Sequence, residues 1–240
     1  MERRAGIAAA AVGALLIAAG LVGLGATLAS GLLKFRQLER TVEVKGLAER
    51  EVPADLAIWT VAHVDADNDL SALHARIEAK NAKVAAFLKA RGFDPTEVAV
   101  GPPSIADRLA RDYGNEPAAR ARYSGRATVT VYTPKVDAVR AATAQLGELA
   151  REGLAIAGEG EGAGTRYVFT GLNAIKPAMI EEATRNARQT AEKFAADSSS
   201  TLGKIRRASQ GQFSIEDRDR STPHLKRVRV VSTVDYYLQD

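Results

Sequence analysis

Three kinds of hydrophobic pattern divide this chain. From Ala5 to Leu33 there is no charged residue. A helix through that run would be about 40 Å long at about 1.5 Å per residue, against a hydrocarbon core of about 30 Å. Helices buried in a globular core are rarely apolar on every face over such a length. The apolar region of a secretory signal covers only about 7–15 residues, although Thr27-Leu28-Ala29 has small residues at the spacing of a cleavage site. The length predicts an uncleaved anchor over residues 5–33. Arg3 and Arg4 precede it and Lys34, Arg36 and Arg40 follow, so flanking charge is nearly balanced. The short basic start is that of a signal anchor, with residues 1–4 as a cytoplasmic tail and the main domain on the far side. Ala9/Gly13 and Ala19/Gly23 have the spacing of close helix–helix contacts, but an Ala/Gly-rich segment produces such pairs by chance.

The second pattern is alternation, which predicts strands. Thr41–Leu47 alternates before Pro53 punctuates the chain. In Asp55–Val64, Leu56, Ile58, Ala62 and Val64 share one pleat face, and Trp59 and Val61 the other. Apolar residues on both faces predict a central strand. Gly125–Thr133 alternates with Ala127, Val129 and Val131 inward. Strands are also predicted over Val98–Ile105, Tyr167–Thr170, Lys204–Ile215 and Leu225–Leu238.

The third pattern is helical. Leu70, Leu73, Ile77, Val84 and Leu88 form one stripe with Phe87 beside it. Asp67, Asn68 or Asp69 can cap its start, and Gly92 ends it after Lys89 and Arg91. Pro134 opens a shorter helix over Val136–Arg151. The longest helix runs from Leu172 to about Ala196, with Ile175, Met179, Ile180, Ala183, Ala187 and Phe194 near one face and Pro177 assigned to its first turn. Arg108–Arg122 reads as an exposed loop, and Leu154–Gly164 as a glycine-rich connection.

Ser104-Ile105-Ala106-Asp107-Arg108 recurs as Ser214-Ile215-Glu216-Asp217-Arg218. Each copy follows a long helix and a strand and precedes a polar loop and an alternating strand, which predicts an internal duplication. The expected fold class is α+β: a transmembrane helix, then a duplicated strand–helix–strand–strand unit, about residues 53–133 and 165–240, with mostly antiparallel sheet and helices on one side.

Composition narrows the chemistry. Charged residues make up 26% and hydrophobic residues 46%, ordinary for a folded globule. The chain has no cysteine, which removes disulfides, thiolate metal sites and cysteine nucleophiles. Net charge is +4, a mild excess compatible with an acidic partner or membrane surface. Aromatics are 5%, too few to interleave with basic residues as nucleic-acid binding requires.

Asp65-Ala66-Asp67-Asn68-Asp69 opens like a calcium loop, but Leu70 stands where glycine is needed and Arg76 where a bidentate glutamate is needed. Gly158-Glu159-Gly160-Glu161-Gly162-Ala163-Gly164 lacks the Gly-Lys-Ser/Thr of a phosphate loop. His63, His74 and His224 have no metal-ligand spacing. Three basic clusters stand out: Lys204, Arg206 and Arg207; Lys226, Arg227 and Arg229; and Arg111, Arg120, Arg122 and Arg126. Each is a solvated polar face or a surface for an acidic partner or neighbouring subunit. The pairs Asp107-Arg108 and Asp217-Arg218 are symmetric, which favours loop anchoring. These readings assign no catalytic, cofactor or metal residue.

The run Thr41-Val42-Glu43-Val44-Lys45-Gly46-Leu47-Ala48-Glu49-Arg50-Glu51-Val52-Pro53-Ala54-Asp55-Leu56-Ala57-Ile58-Trp59 resembles the start of the SIMPL-domain family. The later order agrees: a long helix, strands, a second long helix with an Ala-rich face, and a closing strand near Val230–Tyr237. The resemblance covers roughly Arg40–Asp240. It implies a bacterial envelope protein with a domain over 34–240 that assembles into homo-oligomers, and a link to envelope or oxidative stress. It carries no catalytic residues and no cofactor. The expectation is a non-enzymatic, single-pass inner-membrane protein, its main domain periplasmic. Its partners would be itself, other envelope proteins and, through residues 5–33, the membrane, but not nucleic acid. The alternatives are a small-ligand binding module with a pocket between the repeats, and an enzyme of unknown chemistry.

Overall fold

The computed structural model describes residues 13, 17–31, 40–111, 121–158 and 163–239. Residues 17–31 are helical (α1). Among the described residues no helix is long and apolar enough to cross a membrane. Apart from Gly13, the rest of the Ala5–Leu33 run, with Ala9 and the flanking arginines Arg3, Arg4 and Arg36, lies outside the described residues. The folded part is α+β, with two antiparallel sheets and four helices. It divides into a larger unit, Arg50–Lys176 with Ser214–Val228, and a smaller one drawn from Met1–Glu49, Pro177–Phe213 and Arg229–Asp240.

The larger unit holds a six-stranded sheet. Its strands are β2 (Leu56–Asp67), β3 (Val98–Val100), β4 (Ser104–Asp107), β5 (Tyr123–Thr133), β6 (Ala155–Ile156) and β7 (Gly164–Val168). Their order is β3-β5-β2-β6, with β4 also on β5 and β7 also on β2. β2 is central, as its two-faced apolar pattern predicts. It pairs with β5 from Ala57↔Thr133 to Asp67↔Tyr123, and on its other side with β6 and β7. Val98–Ile105 is not one strand. Gly101-Pro102-Pro103 separates β3 from β4, because proline has no N–H to give the ladder.

Helix α2 (Leu70–Ala90) covers one face of this sheet. Asp69 is its cap and accepts from the Ser71 and Ala72 N–H groups. Leu73, Ile77, Val84, Phe87 and Leu88 are buried, whereas Leu70, placed on the stripe by the sequence, is exposed. Arg91 caps the helix end, and the chain turns away at Gly92, whose φ of +83° suits glycine. The core unites Trp59, Val61, Val129 and Val131 of the sheet with Val84, Phe87, Leu88 and Phe93. The predicted Val136–Arg151 helix is two: α3 (Val136–Ala144) and α4 (Gly147–Arg151). The break falls at Gln145-Leu146, beside Gly147, a weak helix former.

The other sheet contains β1 (Thr41–Pro53), β8 (Thr201–Gln210), β9 (Ser214–Asp217) and β10 (Leu225–Gln239). Its order is β1-β10-β8, with β9 on β10; β9 and the first residues of β10 are grouped with the larger unit. β1 runs on to Pro53 rather than ending at Leu47. The Lys204–Ile215 segment is two strands, β8 and β9. The predicted duplication places Tyr167–Thr170 as the first strand of the second repeat. Here β7 pairs with β2, and β1 pairs with β10.

Helix α5 (Leu172–Asp197) supplies the core of the smaller unit through Ala187 and Ala191, which cluster with Val44, Val234 and Tyr236. Its buried face is Met179, Ala183, Ala187, Ala191 and Ala195. Ile175 and Ile180 are only half-buried and Phe194 is 55% exposed, so the predicted face is corrected. Pro177 lies inside the helix, beyond the first turn, and removes one interior backbone hydrogen bond.

Candidate functional site

A concavity with converging charge lies in the larger unit, on the β2–β5–β4 strands, with a volume of about 650 Å³. Alternation along β5 explains its lining. Gly125, Ala127, Val129 and Val131 turn inward, leaving Ser124 and Arg126 on the other pleat face. Register then builds a cross-strand row: Arg126 stands opposite Val64 of β2 and Ser104 of β4, and Val64 opposite Ala155 of β6. Ser124 stands opposite Ala66 and Ala106 in the next row. Lys80 of α2 and Arg108, just after β4, complete the cationic lining, while Asp65, opposite Gly125, turns its carboxylate toward α2.

Asp65 is heavily engaged. Lys80 Nζ lies 2.8 Å from it, and Arg76 Nε donates to it at 3.1 Å. Burial alone would raise this carboxyl; hydrogen bonds from Arg76, Lys80 and the Ala66 N–H outweigh burial and hold it down at about 2. Arg76 also bonds Asp67 and the Ala66 carbonyl. The residue that occupies the glutamate position of a calcium loop is thus the cation that Asp65 and Asp67 hold, while Asp69 caps α2. Arg126 differs from these paired groups. Its Nε is sealed from solvent and meets no hydrogen-bond partner among the described residues.

The histidines do not gather. His63 is fully buried on the α2 side of the sheet, with Nε2 2.8 Å from Asn81 Oδ1. His74 faces Glu78 along the helix at 3.6 Å. His224 lies edge-on to Tyr167, ring centroids 6.1 Å apart, and its imidazole is lowered by burial, with Arg140 adding to the effect. Among the described residues no three His, Asp or Glu side chains form a metal-binding group.

The basic clusters separate in space and in role. Lys226 is buried and bonds Asp217. Arg227 donates to the Arg218 carbonyl at 3.3 Å, and Arg229 is exposed. Arg122 pairs with Asp107 at 2.8 Å, and Arg206 with Asp235 at 3.2 Å. Lys204 and Arg207 are exposed on β8. Arg120, the Arg111 side chain and residues 159–162 of the glycine-rich run lie outside the described residues.

Both aspartates of the repeated pairs hold the following strand, as the symmetry suggested: Asp107 through Arg122, Asp217 through Lys226. Within the run that carries the family resemblance, Asp55 is equally structural. It accepts from the Thr170 N–H and hydroxyl and from the Gly171 N–H, at 2.8, 3.1 and 3.0 Å, just before α5.

Residues 42–233 match the SIMPL family, described as a protein of unknown function (DUF541). The chain belongs to the SIMPL family. Among curated proteins none matches it. The match takes in every strand of both sheets in whole or part, so the basic cleft is part of the SIMPL domain of this chain. Lys80 was not singled out in the sequence, and nothing in its helical context marks it. Arg126 was visible only as one member of a cluster whose other described member, Arg122, points its charge at Asp107.

Proposed function

We propose that this SIMPL protein is a single-pass, membrane-anchored periplasmic protein of the bacterial envelope that works by self-association and by binding other envelope proteins rather than by catalysis. The observation that carries the anchor is the exposure of α1. Ile17, Leu21, Val22, Leu24 and Leu28 are all more than half exposed, up to 73% for Val22, and they occupy successive faces of the helix. Apolar surface of that kind needs lipid or protein to cover it.

Open strand edges support self-association. Among the described residues β8 has one partner strand, β10, and presents Ile205 at 51% exposure between basic side chains. An edge of this kind can take up another strand through its backbone groups. The duplication belongs to the same reading. β5 collects β2, β3 and β4 as β10 collects β1, β8 and β9, and the Arg108 and Arg218 N–H groups both bond across their hairpins at 2.9 Å.

Light scattering on the detergent-solubilised full chain tests self-association; a strict monomer at high concentration rejects it. Protease access in spheroplasts tests topology, with digestion of the main domain expected. In-cell crosslinking names the partners. A role in envelope or oxidative stress forms part of the proposal, and peroxide sensitivity of a deletion strain checks it.

A further inference from the structure

The two repeated Asp-Arg pairs are not treated alike by the fold. Arg218 is tied down: its Nε donates to Asp219 at 2.9 Å, and its guanidinium lies 3.5 Å from Glu51. Arg108 occupies the matching place, since each arginine N–H closes its own hairpin, on the Arg122 and Leu225 carbonyls respectively. Yet Arg108 is exposed, makes no ion pair among the described residues, and lines the basic cleft. Anchoring the hairpin therefore does not require its guanidinium.

Three cations, Lys80, Arg108 and Arg126, line this cleft, and the one acidic residue of the lining, Asp65, stands opposite Gly125 with its carboxylate toward α2. Asp65 is already shared by Lys80 and by Arg76, so it does not neutralise both arginines. A guanidinium N–H that is sealed from water without an acceptor is expensive, and the Arg126 Nε–H is such a donor. Ser104 and Ser124 add two hydroxyls to the same lining. Planar guanidinium forks match the oxygens of phosphate groups, and the volume of about 650 Å³ exceeds what an inorganic ion needs.

We propose that this cleft binds a phosphate-bearing organic anion, with Arg126 and Arg108 as the principal contacts and Lys80 and the serines as supporting ones. The phosphate belongs either to a free small molecule or to a phospholipid headgroup; the recognition chemistry is shared. The site is independent of the self-association proposed above, because it is complete within one copy of the larger unit.

The test is calorimetric titration of the detergent-solubilised full chain with sodium pyrophosphate and with inorganic phosphate. Saturable pyrophosphate binding is expected, at least tenfold weaker in Arg108→Gln and in Arg126→Gln and unchanged in Arg218→Gln. Arg108 is exposed, so its variant folds even if that of Arg126 is damaged. The proposal is overturned if neither anion binds saturably, or if Arg108→Gln binds pyrophosphate as tightly as the unaltered chain. Repeating the titration in nanodiscs of phosphatidylcholine, with or without phosphatidylglycerol, separates the two sources. Loss of pyrophosphate binding only with the anionic lipid assigns the site to a headgroup, and unchanged binding assigns it to a free molecule.

Discussion

Helix α2 meets its sheet through Leu73, Ile77, Val84, Phe87 and Leu88, while α5 buries Met179 and four alanines, Ala183, Ala187, Ala191 and Ala195. Large side chains keep a helix backbone away from the strands and fill the gap with interdigitated methyl groups. Small ones let the backbones come together. The glycines beneath each helix record the difference. A Cβ added at Gly125 would come within 2.4 Å of Ile77 Cδ1, the end of a side chain that can rotate. A Cβ added at Gly46 would come within 1.9 Å of the Ala183 carbonyl oxygen and 2.4 Å of the Ala187 nitrogen, which cannot move without the helix. One seam is thus vulnerable to truncation and the other to enlargement.

Urea unfolding of single variants puts numbers on that asymmetry. The largest loss is expected for Leu73→Ala, about 3–5 kcal/mol, because a fully buried leucine leaves a cavity. Ala191→Gly, the matching truncation under α5, loses only about 1 kcal/mol, mainly in helix propensity. Equal losses would break the comparison. Next comes Gly46→Ala, at about 3 kcal/mol, against about 1 kcal/mol for Gly125→Ala; a reversed order would show that α5 can slide and α2 cannot.

The helix beginnings differ too. α2 is capped locally by Asp69, whereas the approach to α5 is held from across the chain by Asp55 through three hydrogen bonds. Asp55→Ala is expected to lose about 2 kcal/mol and Asp69→Ala about 1 kcal/mol by the same measurement.

The smallest effect is on acid stability. Asp65 is depressed from 3.8 to about 2, so its stabilising effect is complete above its unfolded value and disappears as pH falls through the folded one. Between about pH 4 and pH 2 the larger unit loses stability from this group, by at most about 1 kcal/mol because Arg76 is partly exposed. Asp65→Asn flattens that part of the pH profile, and an unchanged slope would mean the carboxylate is no better held in the folded state.

The same asymmetry explains what was legible in the sequence. β2, β5 and α2 were readable because their inward residues are large, and the alternation or stripe of Trp59, Val61, Leu73 and Ile77 stands out from polar neighbours. The α5 face is poorly legible because alanine contributes little to an apolar pattern. Phe194 and Ile180 dominate that pattern, and the buried Ala191 and Ala195 leave little mark on it. The break between β3 and β4 is written in Gly101-Pro102-Pro103. The basic cleft depends on register, which sets Arg126 beside Ser104 and Val64 from three separate segments, and no local pattern contains that. Arg76 is legible locally: a cation at the last ligand position of an otherwise acidic loop is itself a candidate for the place a metal would take.

Arg40 and Leu238 are joined by a backbone hydrogen bond, which has a consequence for how the chain is made. At roughly 5–20 residues per second, on the order of ten to forty seconds separate the synthesis of β1 from that of the strand it must pair with. Throughout that interval β1 waits without its neighbour, and a ribosome stalled before β10 would leave it waiting indefinitely. Loss of β10 alone should therefore be felt first at β1, far upstream in the chain.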